Sequence, residues 1–196
     1  MEDSKIIKNW NYKQFLFSKT NWARYYSEYK LAIDNIFERS DESQTTVLTL
    51  PILFLIRHSL EIAFKMNLIE LEKISGIKAA IDFSGAKAHI LSTLHKEFEN
   101  QISIIIKKKA LLKSIQKEFE TRNNELKDFR DVFDKLDNFS FAFRYPVENN
   151  GKTPSFKKED VINVADIIPA YKNTQVLLQH TINVLLDPAN KSENIR

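Results

Sequence analysis

Apolar residues recur every three or four positions along most of the chain, which is the pattern of amphipathic helices packed around a common core. The first such segment starts at Thr20, a residue type that caps helix N-termini, and continues to about Phe37. Arg24, Glu28 and Asp34 occupy its other faces. The pattern predicts a first helix that lays an aromatic stripe on the core. The stripe consists of Trp22, Tyr25, Tyr26, Tyr29, Ile33, Ile36 and Phe37.

The second predicted helix runs from Thr46 or Pro51 to Leu71 and is apolar on nearly all sides in its first half. That is typical of a helix at the centre of a bundle. Pro51 has no amide N–H, so it either lies in the first turn of this helix or kinks a helix that has already begun. The pattern leaves both possibilities open.

Helical spacing returns in three later segments. The third predicted helix spans His89 to Phe119, and the fourth follows a break at 122–124 and ends near Leu136. Pro169 opens the last helix, which Asp187-Pro188 ends. The sequence therefore predicts an all-α fold, a helical bundle of about five helices.

The period changes between the fourth and the last predicted helix. Phe139, Phe141 and Phe143 alternate with small residues, which is the period-two pattern of a strand. Asn150-Gly151 is a favoured hairpin turn. We therefore expect a small β-hairpin over residues 139–157.

The chain has the length of one domain of ordinary size, 196 residues. Its three glycines and five prolines allow few tight turns, which favours long helices over many short strands. We expect a single helical domain over residues 1–196, with an N-terminal extension over 1–18 and a flexible tail over 188–196.

Several classes of protein are excluded by what the sequence lacks. It has no cysteine, which rules out disulfides, thiolate catalysis and cysteine-ligated zinc. Its four histidines show no metal-binding spacing, so we expect no metal and no cofactor. The N-terminus lacks the apolar stretch of a signal peptide, and the apolar run over 47–56 is shorter than the roughly 20 residues of a spanning helix. These features predict a cytoplasmic protein with no membrane partner.

The formal net charge of +3 is too small to imply nucleic-acid binding by itself, so such a function depends on local patches. One basic face on the third predicted helix is a candidate for a phosphate-backbone contact. With Glu118 and Glu120 nearby, a solvated helix face is the more common outcome of such a pattern. The face consists of Lys107, Lys108, Lys109, Lys113 and Lys117.

Three charged residues stand inside the most hydrophobic predicted helix, where charge is costly unless it is paired. Arg57, Glu61 and Lys65 follow one another at one-turn spacing and form a ladder, with His58 beside it. One interpretation is a salt-bridge ladder that holds the helix against a neighbour or a second subunit. The other is a polar cleft in which Arg57 grips an anion while His58, which titrates near neutrality, moves a proton.

Arg144 follows the predicted strand and precedes Tyr145 and Pro146. This position suits a guanidinium that projects toward a phosphate or a carboxylate. A structural arginine paired with a helix carboxylate is the equally weighted alternative.

Taken in order, three short motifs resemble those of prokaryotic HEPN domains. The core helix carries Arg57-His58-Ser59-Leu60-Glu61-Ile62-Ala63-Phe64-Lys65, a helix start carries His89-Ile90-Leu91-Ser92-Thr93-Leu94, and Arg144-Tyr145-Pro146 precedes the last helix. The resemblance covers roughly residues 50–185 and rests on the order and spacing of these motifs.

The resemblance implies a helical bundle, often a homodimer, that belongs to a toxin–antitoxin or phage-defence system. It implies contact with RNA or a nucleotide, in which Glu61, Lys65, His89 and Tyr145 are binding residues. It also implies a cognate antitoxin or a nucleotidyltransferase as the protein partner.

Many HEPN domains are metal-independent RNases in which an arginine precedes a histidine by four to six residues. No histidine of this sequence follows an arginine at that spacing. An RNase site would therefore have to be assembled from Arg57, His58 and Arg144, with His58 taking the ribose 2′-hydroxyl proton and the arginines holding the phosphate. The alternative function is a non-catalytic dimerisation or protein-interaction domain in which the same residues form a buried polar network.

Overall fold

Six α-helices make up most of the part of the chain that this computed structural model describes, residues 22–137, 140–148, 150–157 and 163–192. They are α1 (Trp22–Arg39), α2 (Glu42–Val47), α3 (Thr49–Ser75), α4 (Leu91–Lys109), α5 (Lys113–Leu136) and α6 (Val164–Leu186). Short 3₁₀ turns lie at Ala86–His89 and Pro188–Asn190. The predicted all-α class is confirmed, and the sixth helix is the short α2.

The hydrophobic core surrounds α3, which packs against α1, α4 and α6. Leu53, Ile56, Leu60 and Phe64 of this helix have no exposed surface. An amide group fixes its register against α6, because Asn67 Nδ2 donates to the Leu178 carbonyl at 2.9 Å. The apolar first half of α3 thus occupies the centre of the bundle, as its sequence predicts.

The start of α3 explains Pro51. A capping box begins α2: the Asp41 carboxylate accepts from the Gln44 amide at 2.7 Å, and the Gln44 side chain accepts from the Asp41 amide at 3.1 Å. Leu48 separates α2 from α3, so Pro51 is the third residue of α3 and lies in its first turn, where a missing N–H costs no helical hydrogen bond. The predicted cap Thr20 lies outside the described residues.

The break between the third and the fourth predicted helices falls earlier in the chain than expected. The chain reverses at Ala110, whose φ of 48° ends α4, and α5 then continues without interruption through 122–124. Asn123 does not end the helix because its amide is used inside the bundle: its Oδ1 lies 2.8 Å from His95 Nε2, and its Nδ2 donates to Glu99 at 2.5 Å.

The predicted hairpin is not seen, and no strand forms within residues 140–148 and 150–157. Phe141 to Arg144 make a turn instead, closed by the Arg144 amide on the Phe141 carbonyl at 3.0 Å. Phe143 is buried against Phe133 of α5, and Phe141 packs against Tyr145 in the same loop. Around the Asn-Gly turn a single antiparallel bridge joins Val147 to Pro154, which has no N–H to extend it. Phe139 lies outside the described residues.

The segment after α6 is tied to the reversal between α4 and α5. The Leu112 amide donates to the Asn190 carbonyl at 3.0 Å, and the Ser192 amide donates to the Ala110 carbonyl at 2.9 Å. In the described part of the chain, no helix has the length and apolar composition to cross a membrane.

Candidate functional site

Arg57 has no exposed surface and joins three segments of the chain. Its Nε donates to the Asp137 carbonyl at 2.7 Å, beyond the end of α5, and its Nη2 donates to the His89 carbonyl at 2.7 Å, before α4. Its Nη1 lies 3.5 Å from Glu61 Oε2 on the next turn of α3. The guanidinium therefore pins two loops to the centre of the bundle, and its donors face protein atoms rather than solvent.

Glu61 is the common acceptor of the ladder. Its Oε1 receives the Lys65 ammonium at 2.7 Å and lies 2.9 Å from His89 Nδ1. Both Glu61 and Lys65 are buried, whereas the His89 side chain is about half exposed. We name the set Arg57, Glu61, Lys65, His89 and Asp137 the Arg57 network.

The charges of the Arg57 network balance inside the fold. Burial raises the pKa of Glu61, but the hydrogen bond and charge of Lys65, together with His89 and Arg57, outweigh it and hold that pKa below its usual value. Burial lowers the pKa of Arg57, and the carboxylates of Asp137 and Glu61 oppose it. The network is thus an ion cluster whose charged forms are mutually stabilised.

His58 lies beside the network in an aromatic environment. Its ring stacks on Phe54 with centroids 5.7 Å apart and planes 10° apart, and Tyr29 of α1 meets its face edge-on at 4.7 Å. Burial lowers the pKa of His58, and the cations of Lys65, Arg57 and Arg144 lower it further against the opposing charge of Glu61. The imidazole is therefore neutral at pH 7, the state in which it accepts a proton.

Arg144 lies on the same side of the bundle as His58. Its Cζ is 5.8 Å from the Phe54 ring centroid and 5.4 Å from the Tyr145 ring centroid, which is cation–π range. The Ser140 carbonyl, presented by a residue with φ of 61°, accepts from Arg144 Nε at 2.6 Å and also from Nη2. The guanidinium is held in place by this carbonyl and by the rings, while its residue remains exposed.

These contacts continue outward into a row of stacked side chains. Tyr145 is 47% exposed and packs against Phe141 with centroids 4.5 Å apart. We name His58, Phe54, Arg144, Tyr145 and Phe141 the Arg144 column. It combines one cation with four rings, of which Tyr145 is exposed and the other three are half-buried. Cations and aromatic rings are the groups that hold phosphates and nucleobases.

The residues singled out in the sequence thus fall into two groups. Arg57, Glu61 and Lys65 are buried and satisfied within the Arg57 network. His58, Arg144 and Tyr145 belong to the partly exposed Arg144 column, and His89 stands at the edge of the network with its ring half in solvent. The two groups meet on α3, where His58 and Arg57 are adjacent.

Sequence reasoning missed two residues that complete these groups. Phe54 links His58 to Arg144, and its one-turn spacing before His58 was the available signal. Asp137 supplies the backbone acceptor for Arg57 and a carboxylate oxygen 3.9 Å from its Nε. Nothing in the spacing of residues that are 80 positions apart indicated this contact.

A metal centre finds no support in the part of the chain that the structure describes, because no group of three histidine, aspartate or glutamate side chains there is arranged to hold an ion. Compared with known proteins, the chain matches no family model, no curated protein and no solved structure.

Proposed function

We propose that this protein is a HEPN-like helical module that binds single-stranded RNA or a nucleotide through the Arg144 column. The observation that carries the proposal is the arrangement of Arg144 over the rings of Phe54 and Tyr145, with His58 stacked behind them. A guanidinium anchored by one carbonyl keeps donors for a phosphate oxygen, while the Tyr145 side chain, which is 47% exposed, offers ring surface to a base.

The interaction energies favour the Arg144 column over the buried ladder of Arg57, Glu61 and Lys65 as the contact surface. Stacking of a base on an aromatic ring contributes about 1–3 kcal/mol, and it requires an accessible ring such as Tyr145. Arg57 and Lys65 are buried, so a ligand would have to separate them from partners whose loss costs several kcal/mol. In this proposal the Arg57 network supports the column and does not touch the ligand.

A binding titration with single-stranded RNA tests the proposal. Fluorescence anisotropy of a labelled oligonucleotide is measured with the wild type, Arg144→Ala and Tyr145→Ala. The matched control is Lys107→Ala, which also removes one exposed positive charge but lies near the C-terminal end of α4. We expect both column variants to weaken binding by about tenfold and the control to change it little. Equal weakening by Lys107→Ala would assign binding to the basic face of α4 and α5 instead.

Catalysis at this surface would depend on His58. A neutral imidazole beside an arginine can take the proton of a ribose 2′-hydroxyl, and an RNA cleavage assay in EDTA with wild type and His58→Ala separates a metal-independent RNase from a binding module. Cleavage that survives in His58→Ala would remove this residue from the reaction.

The second candidate function is a dimerisation or protein-interaction domain without ligand chemistry. The buried Arg57 network, in which opposite charges face one another, favours it, because such networks also occur as structural elements. In that case, Arg144→Ala and Tyr145→Ala would change the oligomeric state in sedimentation experiments while no RNA binding existed to be lost.

A further inference from the structure

A second candidate ligand site lies at the other end of the bundle, between α4, α5 and α6. A cavity of about 230 Å³ opens there beside Val176, which is 41% exposed. Its wall is apolar and is formed by Ile102, Ile106, Ile115, Phe119, Leu177 and Val184. Protein interiors are ordinarily close-packed, and an apolar cavity of about 150 Å³ already suffices to bind benzene.

Hydrogen bonds connect α4, α5 and α6 at one end of this cavity. Leu111 and Asn190 line it, and the Asn190 carbonyl accepts from the Leu112 amide at 3.0 Å. Lys109 Nζ also donates to the Leu185 carbonyl at 3.0 Å, which fixes the end of α4 to the end of α6. The three helices are thus tied together at this end of the cavity.

Some polar side chains around the cavity already donate hydrogen bonds to backbone carbonyls, and others do not. Thr181 donates to the Leu177 carbonyl at 2.7 Å, and the Asn190 side chain donates to the Val184 carbonyl at 3.0 Å. The remaining polar side chains, Glu118, Arg122 and His180, belong to partly or fully exposed residues at the mouth. The interior is therefore effectively apolar, and recognition of a polar group is confined to the mouth.

Arg122 is the cation best placed to select the ligand. Its nearest carboxylates, Glu118 and Glu125, lie at 4.0 and 3.6 Å, both outside hydrogen-bonding distance. The guanidinium can therefore turn its donors toward a bidentate carboxylate at the mouth. Glu118 has 66% of its side chain exposed and can move aside without losing a buried partner.

We propose that this cavity binds a medium-chain carboxylate, with its alkyl chain between α4, α5 and α6 and its head group on Arg122. The volume exceeds the roughly 150 Å³ that binds benzene, so it accommodates a medium-length alkyl chain. The site is separate from the Arg144 column and does not depend on RNA binding.

Titration calorimetry with octanoate and 1-octanol tests this site. We expect saturable 1:1 binding of octanoate to the wild type, about tenfold weaker binding to Arg122→Ala, and little change with the exposed-arginine control Arg39→Ala on α1. The affinity for 1-octanol, which has no charge, should be the same in wild type and Arg122→Ala. Val184→Phe should fill the cavity and abolish the binding of both compounds.

An NMR measurement on the wild type removes any dependence on how well Val184→Phe folds. Nuclear Overhauser contacts between the octanoate chain and the Phe119 ring are expected if the ligand occupies the cavity. Absence of saturable octanoate binding, or binding without contacts to Phe119, would overturn the proposal. Equal octanoate affinity in wild type and Arg122→Ala would overturn the assignment of the head group.

Discussion

Arg57 illustrates how a residue whose spacing suggests a polar cleft can be buried among protein partners in the fold. A histidine follows it directly, and its spacing to Glu61 and Lys65 matches a polar cleft, yet its three donor groups all face protein atoms in the interior. Its partners lie 80 and 32 positions away along the chain. Local spacing shows the ladder on α3, but only the packing of the bundle shows what the ladder holds.

The first prediction concerns the stability of this network. Arg57→Ala leaves the Glu61 and Asp137 carboxylates buried without their shared cation, so we expect the free energy of unfolding to fall by about 3–5 kcal/mol. Urea denaturation followed by circular dichroism measures it. The control Arg39→Ala removes an exposed arginine and should stay within about 0.5 kcal/mol of wild type. An Arg57→Ala protein as stable as the control would contradict the structural role.

The second prediction concerns pH. Burial lowers the pKa of both His58 and His95, so between pH 6.5 and their folded values the unfolded chain binds more protons. Stability should therefore fall as the pH drops below about 6.5. Asp134, whose pKa burial raises, contributes with the opposite sign.

A variant isolates the contribution of His58. His58→Phe keeps a ring stacked on Phe54 but removes the titrating group, so the difference in unfolding free energy between pH 7.5 and 5.5 should be smaller than in wild type. Urea denaturation at both pH values measures this difference. An unchanged or larger difference would show that His58 takes no part in it.

At the scale of elements, the helices were predictable and several of their boundaries were not. The periodicity of α1, α3 and α6 predicts helices with one face on the core. The predicted start of the last helix was wrong, because Pro169 lies inside α6, which begins at Val164. The sequence did not predict the chain reversal at Ala110, because neither glycine nor proline occurs there. At Asn123 a break was predicted where the helix continues. An asparagine is compatible with a helix when partners such as His95 and Glu99 satisfy its amide.

The prediction of a hairpin was wrong because tertiary contacts again outweighed a local pattern. Alternating phenylalanines satisfy the period of a strand, but Phe143 gains more by packing on Phe133 and Phe156 than a two-stranded ribbon would provide. The candidate site was partly predictable: His58, Arg144 and Tyr145 were named from their motifs. The sequence did not show that these three residues are partly exposed while Arg57, Glu61 and Lys65 are buried, because burial depends on which loops cover α3.

The third prediction tests the helix ends. Ala110 and Gly76 both adopt left-handed backbone conformations, with φ of 48° and 71°. Ala110→Gly should therefore stabilise the protein by about 0.5–1 kcal/mol, and Gly76→Ala should destabilise it by about 1 kcal/mol. A Cβ at Gly76 would meet only the end of Lys108 at 3.9 Å, so the expected cost comes from the backbone. Thermal and urea denaturation of the two variants should shift in opposite directions; shifts of the same sign would contradict the account.

At the scale of the whole molecule, the Arg57 network and the Arg144 column lie at one end of the bundle, and the apolar cavity lies toward the other. The Arg57 network is buried and joins α3 to the segments before α4 and after α5, which gives the Arg144 column a fixed base. The cavity between α4, α5 and α6 lies alongside the C-terminal half of α4. Two ligand surfaces can therefore exist on one small bundle without sharing a residue.

Photocrosslinking tests the central claim, that the Arg144 column is the RNA surface, most directly. Single-stranded RNA carrying 4-thiouridine is bound to the wild-type protein and irradiated, and the crosslinked residues are mapped by mass spectrometry. We expect crosslinks at Tyr145, with Phe54 and His58 as secondary positions, and their loss in Arg144→Ala. Crosslinks confined to the lysine-rich face over residues 107–117, or none at protein concentrations that saturate an anisotropy titration, would contradict it.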